Sequence, residues 1–399
     1  MKSKFHSIKV CFASCVENIQ NIRTTRLLRT IADYGCVVVA ITPGSISNLE
    51  KDYPFVHYPL PVPSTYFWYE SGLLNTLRAL VYRLRNAFLL AVRLGLVKPN
   101  LIICREPDAW LVAILTKLWL RCKVVVELRE VYDDRAYAFP KVLRGYISQL
   151  LRTFMRWLSR FTDEIIHVST ERQQVYCYLH KPGIVIGQYP ELRLFSPPAS
   201  HRKLDSDRTI ITVIHAGPLR PTYASKQLLE AMTLAIEELS SVRLVVLGGI
   251  YDKAGNVKEI VEFLKSRGIL EIVEPIPFLE VVKWLYRSHI GINLVLPVDR
   301  THYWAAPQKL YEYLAAGLPV VAADVPPIRR VVSKYACGLL VDPFSPQEIA
   351  KAIIQLAQDK DLRHRMGQNS RQAAETEFNW EREQIKWYKV LISLQIKHI

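Results

Sequence analysis

No stretch of this 399-residue chain reaches 18 consecutive apolar residues, so nothing in it reads as a membrane span. Cysteine is sparse and shows no pairing pattern. The seven, at positions 11, 15, 36, 104, 122, 177 and 337, form no C-x-x-C pair and have no histidine at metal-ligand spacing. That argues against a disulfide framework and a zinc site, and for reduced thiols in a cytosolic protein. A secretory leader is also lacking. Met1-Lys-Ser-Lys-Phe-His6 has the charge of one, but the apolar stretch after it, Ile8 to Ala13, is too short. Phe12-Ala-Ser-Cys15 only faintly resembles a lipoprotein cleavage box and reads as the end of a first strand. Negative charge is scarce as well: 37 Asp and Glu stand against 52 Lys and Arg, a net charge of +15. Such a surplus calls for an anionic partner, whether nucleic acid, an acidic substrate or an anionic membrane surface.

What is present is a chain able to fold. Half the residues are hydrophobic and 22% are charged, which excludes disorder. The length suits two domains of about 150–200 residues each. From Ile8 onward, strand candidates (8–14, 36–42, 101–105, 123–128, 164–168 and 183–186) alternate with helical patterns at 21–34, 73–94, 109–120 and 142–161. Runs such as VVVAI and VVVEL are apolar throughout, as strands covered on both faces must be. Strand–helix alternation with short connections predicts a doubly wound α/β sheet.

A Pro/Ser-rich charged stretch interrupts the pattern near Phe195, and the alternation restarts at Thr209 with TIITVIHAG, VRLVVLGG, LEIVEPI, GINLVLP, PVVAAD and GLLVDP. The expected organisation is therefore a Rossmann-like domain over 1–195, a linker over 196–208 and a second Rossmann-like domain over 209–378. A C-terminal helix over 379–399, with no strand after it to cover, is expected to cross back to the first domain.

The segment from Pro307 to Asp324 carries the sharpest signal. It reads as a short helix opened by Pro307 and closed by Gly317, followed at once by a buried strand. Gln308 and Lys309 fall in the first turn, where free backbone N–H groups and the positive dipole end attract a phosphate. Glu312 lies one turn on, roughly 6 Å along the axis, where a carboxylate suits a ribose diol. Leu310, Tyr313, Leu314 and Gly317 equally follow the spacing of an ordinary core-facing helix. The other strand ends of the second half are His215-Ala-Gly217, Gly248-Gly249, Ile276-Pro277-Phe278 and Asp324. Gly217 and Gly248 would let a ligand approach the backbone, and Arg220 and Lys226 follow the first of these ends.

Taken in order, the linker, the HAG loop, the LGG strand end, the string P-x-K-x-x-E-Y-L-A-A-G-x-P-V-V and the C-terminal Trp helix resemble a family 4 glycosyltransferase of the GT-B fold. In the first half, Val124-Val-Val-Glu127-Leu-Arg129-Glu130 with Tyr132-Asp133 is similar to the E-x-R-D-x-W/Y string of bacterial enzymes that decorate lipid-linked sugars. Thr162 to Ser169, followed by Gly187-Gln-Tyr-Pro190, is similar to the end of that domain in the same group.

The resemblance implies two Rossmann-like domains facing a cleft. It implies retaining, metal-independent transfer of a sugar from a nucleotide-diphosphate sugar, with no cofactor, to a glycan or polyprenyl-linked acceptor in surface polysaccharide or glycoconjugate synthesis. Nucleotide and donor contacts would fall to Gly217, Arg220, Lys226, Gly248, Pro277, Gln308, Leu310 and Glu312, and catalytic roles to Arg129, Glu130 and Lys309. Glu312 matches the second glutamate of the family's E-x7-E motif, but the first would stand where this chain has Trp304. The family's diphosphate-binding Arg and Lys are displaced too, since Pro218 and Tyr223 occupy those spacings, which leaves Arg220 or Lys226 to substitute. A sugar-nucleotide 2-epimerase on the same fold and a non-catalytic partner subunit are the alternative readings.

The bases cluster with aromatics in two first-half segments. Tyr66-Phe-Trp-Tyr69 leads into a helix with Arg78, Arg83, Arg85 and Arg93. Phe139-Pro-Lys141 leads into Arg144, Arg152, Arg156, Trp157 and Arg160. Basic amphipathic helices of this kind suit an anionic membrane interface. The expected location is cytoplasmic, peripheral on the inner face of the cell membrane. Interspersed apolar residues and the lack of a recognised motif argue against nucleic acid.

Overall fold

The computed structural model describes residues 8–19, 21–44, 54–62, 73–134, 141–196, 210–239, 241–251 and 257–395. The expected linker and the Tyr66–Tyr69 aromatics lie outside them, apart from Ser196 at the linker's edge.

The chain divides into two compact units, Met1–Gly187 with Glu383–Ile399, and Gln188–Arg382. The division falls before Phe195 for a packing reason: Tyr189 and Phe195 are buried in the core of the second unit. Trp380 likewise donates its N–H to Pro190 O at 2.9 Å within that unit.

The first unit contains strands β1 (Lys9–Ala13), β2 (Val37–Pro43), β3 (Phe55–Leu60), β4 (Leu101–Cys104), β5 (Lys123–Leu128), β6 (Glu164–His167) and β7 (Ile184–Val185). Its helices are α1 (Ile22–Asp33), α2 (Leu73–Val97), α3 (Pro107–Leu120), α4 (Lys141–Ser159) and α5 (Thr170–Val175). The sheet runs β3-β2-β1-β4-β5-β6-β7 and every pair is parallel. Local chemistry sets the helix starts: the Asn21 side chain accepts the Arg23 N–H ahead of α1, and Pro107 opens α3.

The second unit repeats the design with β8 (Ile211–Ala216), β9 (Val242–Leu247), β10 (Leu270–Val273), β11 (Ile290–Asn293), β12 (Val320–Ala323) and β13 (Gly338–Val341) in the order β10-β9-β8-β11-β12-β13. Its helices are α6 (Ser225–Glu238), α7 (Lys258–Ser266), α8 (Phe278–Tyr286), α9 (Arg300–Tyr303), α10 (Gln308–Ala316), α11 (Pro326–Tyr335), α12 (Pro346–Gln358), α13 (Lys360–Thr376) and the start of α14 (Trp380–Ser393). From Glu383 onward α14 belongs to the first unit. There Glu383 Oε2 accepts the Gly187 N–H at 2.7 Å, and Tyr388 stacks on Tyr34 with centroids 4.8 Å apart.

Strand order reverses between β1 and β4 in one unit and between β8 and β11 in the other. Such switch points open a crevice at the carboxyl ends of the strands. In the second unit α10 is fixed over this point by one close fit. Tyr313 Oη accepts the Ala216 N–H (2.9 Å) and donates to Ile292 O (3.1 Å), while its ring lies against Gly291. A Cβ at Gly291 would stand 2.6 Å from the ring. Gly291→Ala should therefore cost about 1–3 kcal/mol of stability in urea unfolding. A change within error would show that α10 can shift freely.

At the first unit's switch point the polar groups close on one another. Arg105, buried at the end of β4, pairs with Glu17 and with Glu127 (2.5 Å), and Arg129 reaches Glu17 at 3.0 Å and Glu127 at 3.4 Å. Burial alone would raise the Glu17 carboxyl, but the two guanidiniums outweigh it and hold it at about 2. Beside them Glu106 accepts from Ser14 Oγ at 2.9 Å. Burial, then the charges of Asp108 and Glu17, push Glu106 up to about 7. Between the ordinary carboxyl range and about 7, the unfolded chain ionises this group while the folded protein keeps it protonated. Stability falls across that window as pH rises. Glu106→Gln should remove the fall. Melting at about pH 5 and about pH 8 checks it, because an equal difference in variant and wild type would clear Glu106 as the cause.

Candidate functional site

The cationic site of the second unit forms around the first turn of α10. Pro307 is the residue before the helix (φ −65°, ψ 135°), so the helix itself begins at Gln308 and ends on Gly317 in the left-handed region (φ +73°). Leu310 donates its N–H to Pro307 O at 3.1 Å and its side chain is fully buried in the core. That makes Leu310 a packing residue, and leaves the N–H groups of Gln308 and Lys309 as the first-turn donors without an intrahelical acceptor.

Lys309 reaches back to the end of β8. Its Nζ lies 3.0 Å from His215 Nε2, 4.5 Å from the centre of the Tyr223 ring, and 3.7 Å from where a Cβ on Gly217 would stand. Gly217 has φ +122°, a conformation that favours glycine. Burial and the Lys309 charge hold His215 well below its usual range, so the ring is neutral and its Nε2 accepts from the ammonium. Burial pulls the Lys309 amine down, Glu312 pulls it up and Arg220 pulls it down again, leaving it at about 8. Those electrostatic couplings place Lys309, Arg220 and Glu312 in one cluster. Glu312 is itself buried one turn along α10. Arg220 stacks on Tyr251 with 5.4 Å to the ring centre.

Lys226 has a side chain 56% exposed and pairs with Glu230 at 3.7 Å on α6. Gly248 (φ +100°) spends its missing side chain on a neighbouring loop, since a Cβ would meet Pro218 N at 3.2 Å. Pro277 heads α8, where its carbonyl accepts the Glu280 N–H at 2.9 Å. Trp304 closes α9, edge-to-face with Tyr303 at 4.9 Å. In the first unit Arg129 pairs with Glu17 and Glu127, and the Glu130 carbonyl accepts the Tyr176 hydroxyl. Burial and the adjacent Arg105 bring Arg129 down to about 10. Asp133 is buried and paired with Arg152 at 2.5 Å. Among the described residues no group of three His, Cys, Asp or Glu could hold a metal ion.

Two participants had weak signals in the sequence. His215 reads as part of a strand end, and only the fold reveals it as the seat of Lys309. Asn293 ends β11 at the switch point. It is fully buried, and neither its Oδ1 nor its Nδ2 has a hydrogen-bond partner in the structure. Its one clue is a polar residue inside the apolar run GINLVLP.

Residues 198–373 match the family described as Glycosyl transferases group 1. That segment, 176 of the 399 residues, is similar to members of that family. Among curated relatives, spore coat protein SA of Bacillus subtilis (strain 168) is 26% identical over 180 residues, 43% of this chain and 45% of that protein. The D-inositol 3-phosphate glycosyltransferase of Streptomyces avermitilis is 26% identical over 232 residues, 56% and 48% of the two chains. The chain spans about half the length of the curated relatives it matches. Among solved structures, Anabaena HepE in complex with UDP and glucose matches 97% of this chain and 100% of its own, with TM-score 0.70 and 17% identity. The fold is GT-B, and the glycosyltransferase group 1 portion contains the α10 cluster.

The Lys309 amine gives the cluster a measurable signature. Above about 8 it loses its proton, so affinity for a diphosphate such as UDP should fall by up to about tenfold per pH unit. Lys309→Arg should flatten that fall. Calorimetric titration with UDP from neutral to alkaline pH tests it, and a flat wild-type profile would exclude Lys309 as the cation for the anion.

Proposed function

We propose that the protein is a retaining glycosyltransferase that moves a sugar from a nucleotide-diphosphate sugar to a glycan or lipid-linked acceptor, without a metal. The observation that carries this reading is the α10 cluster: a buried lysine ammonium seated on a neutral histidine, a buried glutamate one turn on, and free helix N–H groups, all at the strand switch point of a segment similar to glycosyl transferases group 1. Similarity to a structure that contains UDP and glucose supports a nucleotide-sugar donor.

In this reading the diphosphate lies over the first turn of α10. Gln308 and Lys309 N–H groups and the dipole receive one phosphate, and the Lys309 ammonium with Arg220 takes up charge as the diphosphate departs. Gly217 leaves room for that approach. Glu312 accepts the ribose hydroxyls. The departing phosphate oxygen receives the acceptor proton, so the protein's share of catalysis is positioning and charge stabilisation. Arg129 serves by holding the first unit's strand ends together. The acceptor proposed is a sugar on a lipid carrier, presented at an anionic membrane surface.

Thermal shift against UDP, GDP, ADP and dTDP, each with and without sugar, identifies the donor. Glu312→Ala should then weaken the chosen nucleotide by roughly tenfold to a hundredfold, the scale of hydrogen bonds to a charged group. If no nucleotide binds, or Glu312→Ala binds as wild type does, the transferase reading fails. Isomerisation of the donor sugar with no acceptor present would mark an epimerase instead.

A further inference from the structure

The outer surface of the first unit carries apolar side chains where a water-facing surface should be polar. On α2, Leu77, Val81, Leu84, Phe88, Val92 and Leu96 recur at helical spacing and are all exposed, Phe88 by 69% and Leu96 by 78%. The opposite face, turned inward, holds Tyr82, Asn86, Leu90 and Leu94. From Leu77 to Leu96 the stripe runs roughly 28 Å at about 1.5 Å per residue. It continues onto α3: Trp119 lies against Gly95 of α2, where a Cβ would stand 3.1 Å from the indole, yet the ring is 72% exposed. Leu115 and Leu118 are exposed beside it, and Lys117 ties α3 to the end of α4 by donating to Phe161 O at 2.7 Å.

The charge on these helices is of one sign. α2, α3 and α4 contain four, one and four basic residues and a single acidic one, Asp108. Arg83 neutralises that carboxylate with a two-point contact at 2.8 and 2.9 Å. A second copy of the chain would set this basic face against itself, which like charges oppose. An anionic bilayer satisfies both features at once, because headgroups meet the arginines and the acyl boundary takes the apolar stripe. No helix among the described residues is long and apolar enough to cross a membrane, so the arrangement fits a helix lying in the interface plane.

We propose that α2, with the exposed end of α3 and the outer face of α4, is an interfacial membrane-binding surface on which the Leu77–Leu96 stripe enters an anionic bilayer. This deepens the membrane-presented acceptor of the preceding reading, yet it rests on the first unit alone. The full chain is tested by co-sedimentation with vesicles of phosphatidylcholine with and without phosphatidylglycerol, at low and high salt. Wild type should bind the phosphatidylglycerol vesicles, with part of that binding surviving high salt. Leu84→Gln with Phe88→Gln should cut binding by ~tenfold or more and leave melting unchanged, since both side chains are exposed. Three results overturn the proposal: wild type that ignores both vesicles, a double variant that binds like wild type, or a lipid-free wild-type dimer that the double variant dissolves. Nucleotide thermal shifts on the same preparations separate this outcome from that of the transferase reading, because the double variant should keep its nucleotide response.

Discussion

The contact of the Tyr313 ring with the bare backbone of Gly291 sets the position of α10, and with it everything at the second unit's switch point. The tyrosine hydroxyl bridges β8 and β11 by accepting from Ala216 and donating to Ile292. The strand pair is thereby clamped by the helix lying over it. With that distance fixed, Lys309 can extend past Gly217 to His215, and Glu312 falls one turn higher. A looser fit would let the helix ride up and would separate the amine from the histidine.

The two units meet the problem of buried charge in opposite ways. In the first, two arginines and two glutamates pair with one another near the strand ends, which is how charges removed from water are tolerated. In the second, the hydrogen-bond partner of the buried ammonium is a neutral imidazole, and the negative charge comes from Glu312 one turn along α10. A closed network stiffens its unit, whereas an ammonium held by an uncharged acceptor still attracts an anion. The asymmetry supports the proposal that the second unit binds the nucleotide.

Much of this was legible in the sequence because parallel strands covered on both faces announce themselves as apolar runs. The strands at 123–128 and around Val37 to Pro43 fall where such runs predict them. β3 escaped notice for a physical reason: Phe55–Leu60 is an edge strand, only partly buried and interrupted by Pro59, so it has no continuous apolar signature. The glycosyltransferase-like string around Pro307 likewise pointed to α10, Lys309 and Glu312. Three things could not be read in one dimension. His215 and Lys309 lie 94 residues apart and meet only through the sheet. Arg129 finds a partner in Glu17, 112 residues away, which adjacency in sequence cannot show. Helical spacing on α2 shows that two apolar faces exist but not that one remains uncovered.

The path of α14 has a consequence for the order in which the protein can be made. Glu383 is nearly fully buried, accepts the Gly187 N–H and is held by Lys386, while Trp387 is buried completely. The first unit is thus completed by residues translated after the whole of the second unit. A chain carrying only the residues up to Gly187 would expose the seat that α14 covers. Closure of that unit waits until α14 has been made, so the second unit is free to fold first and the first must be closed from behind.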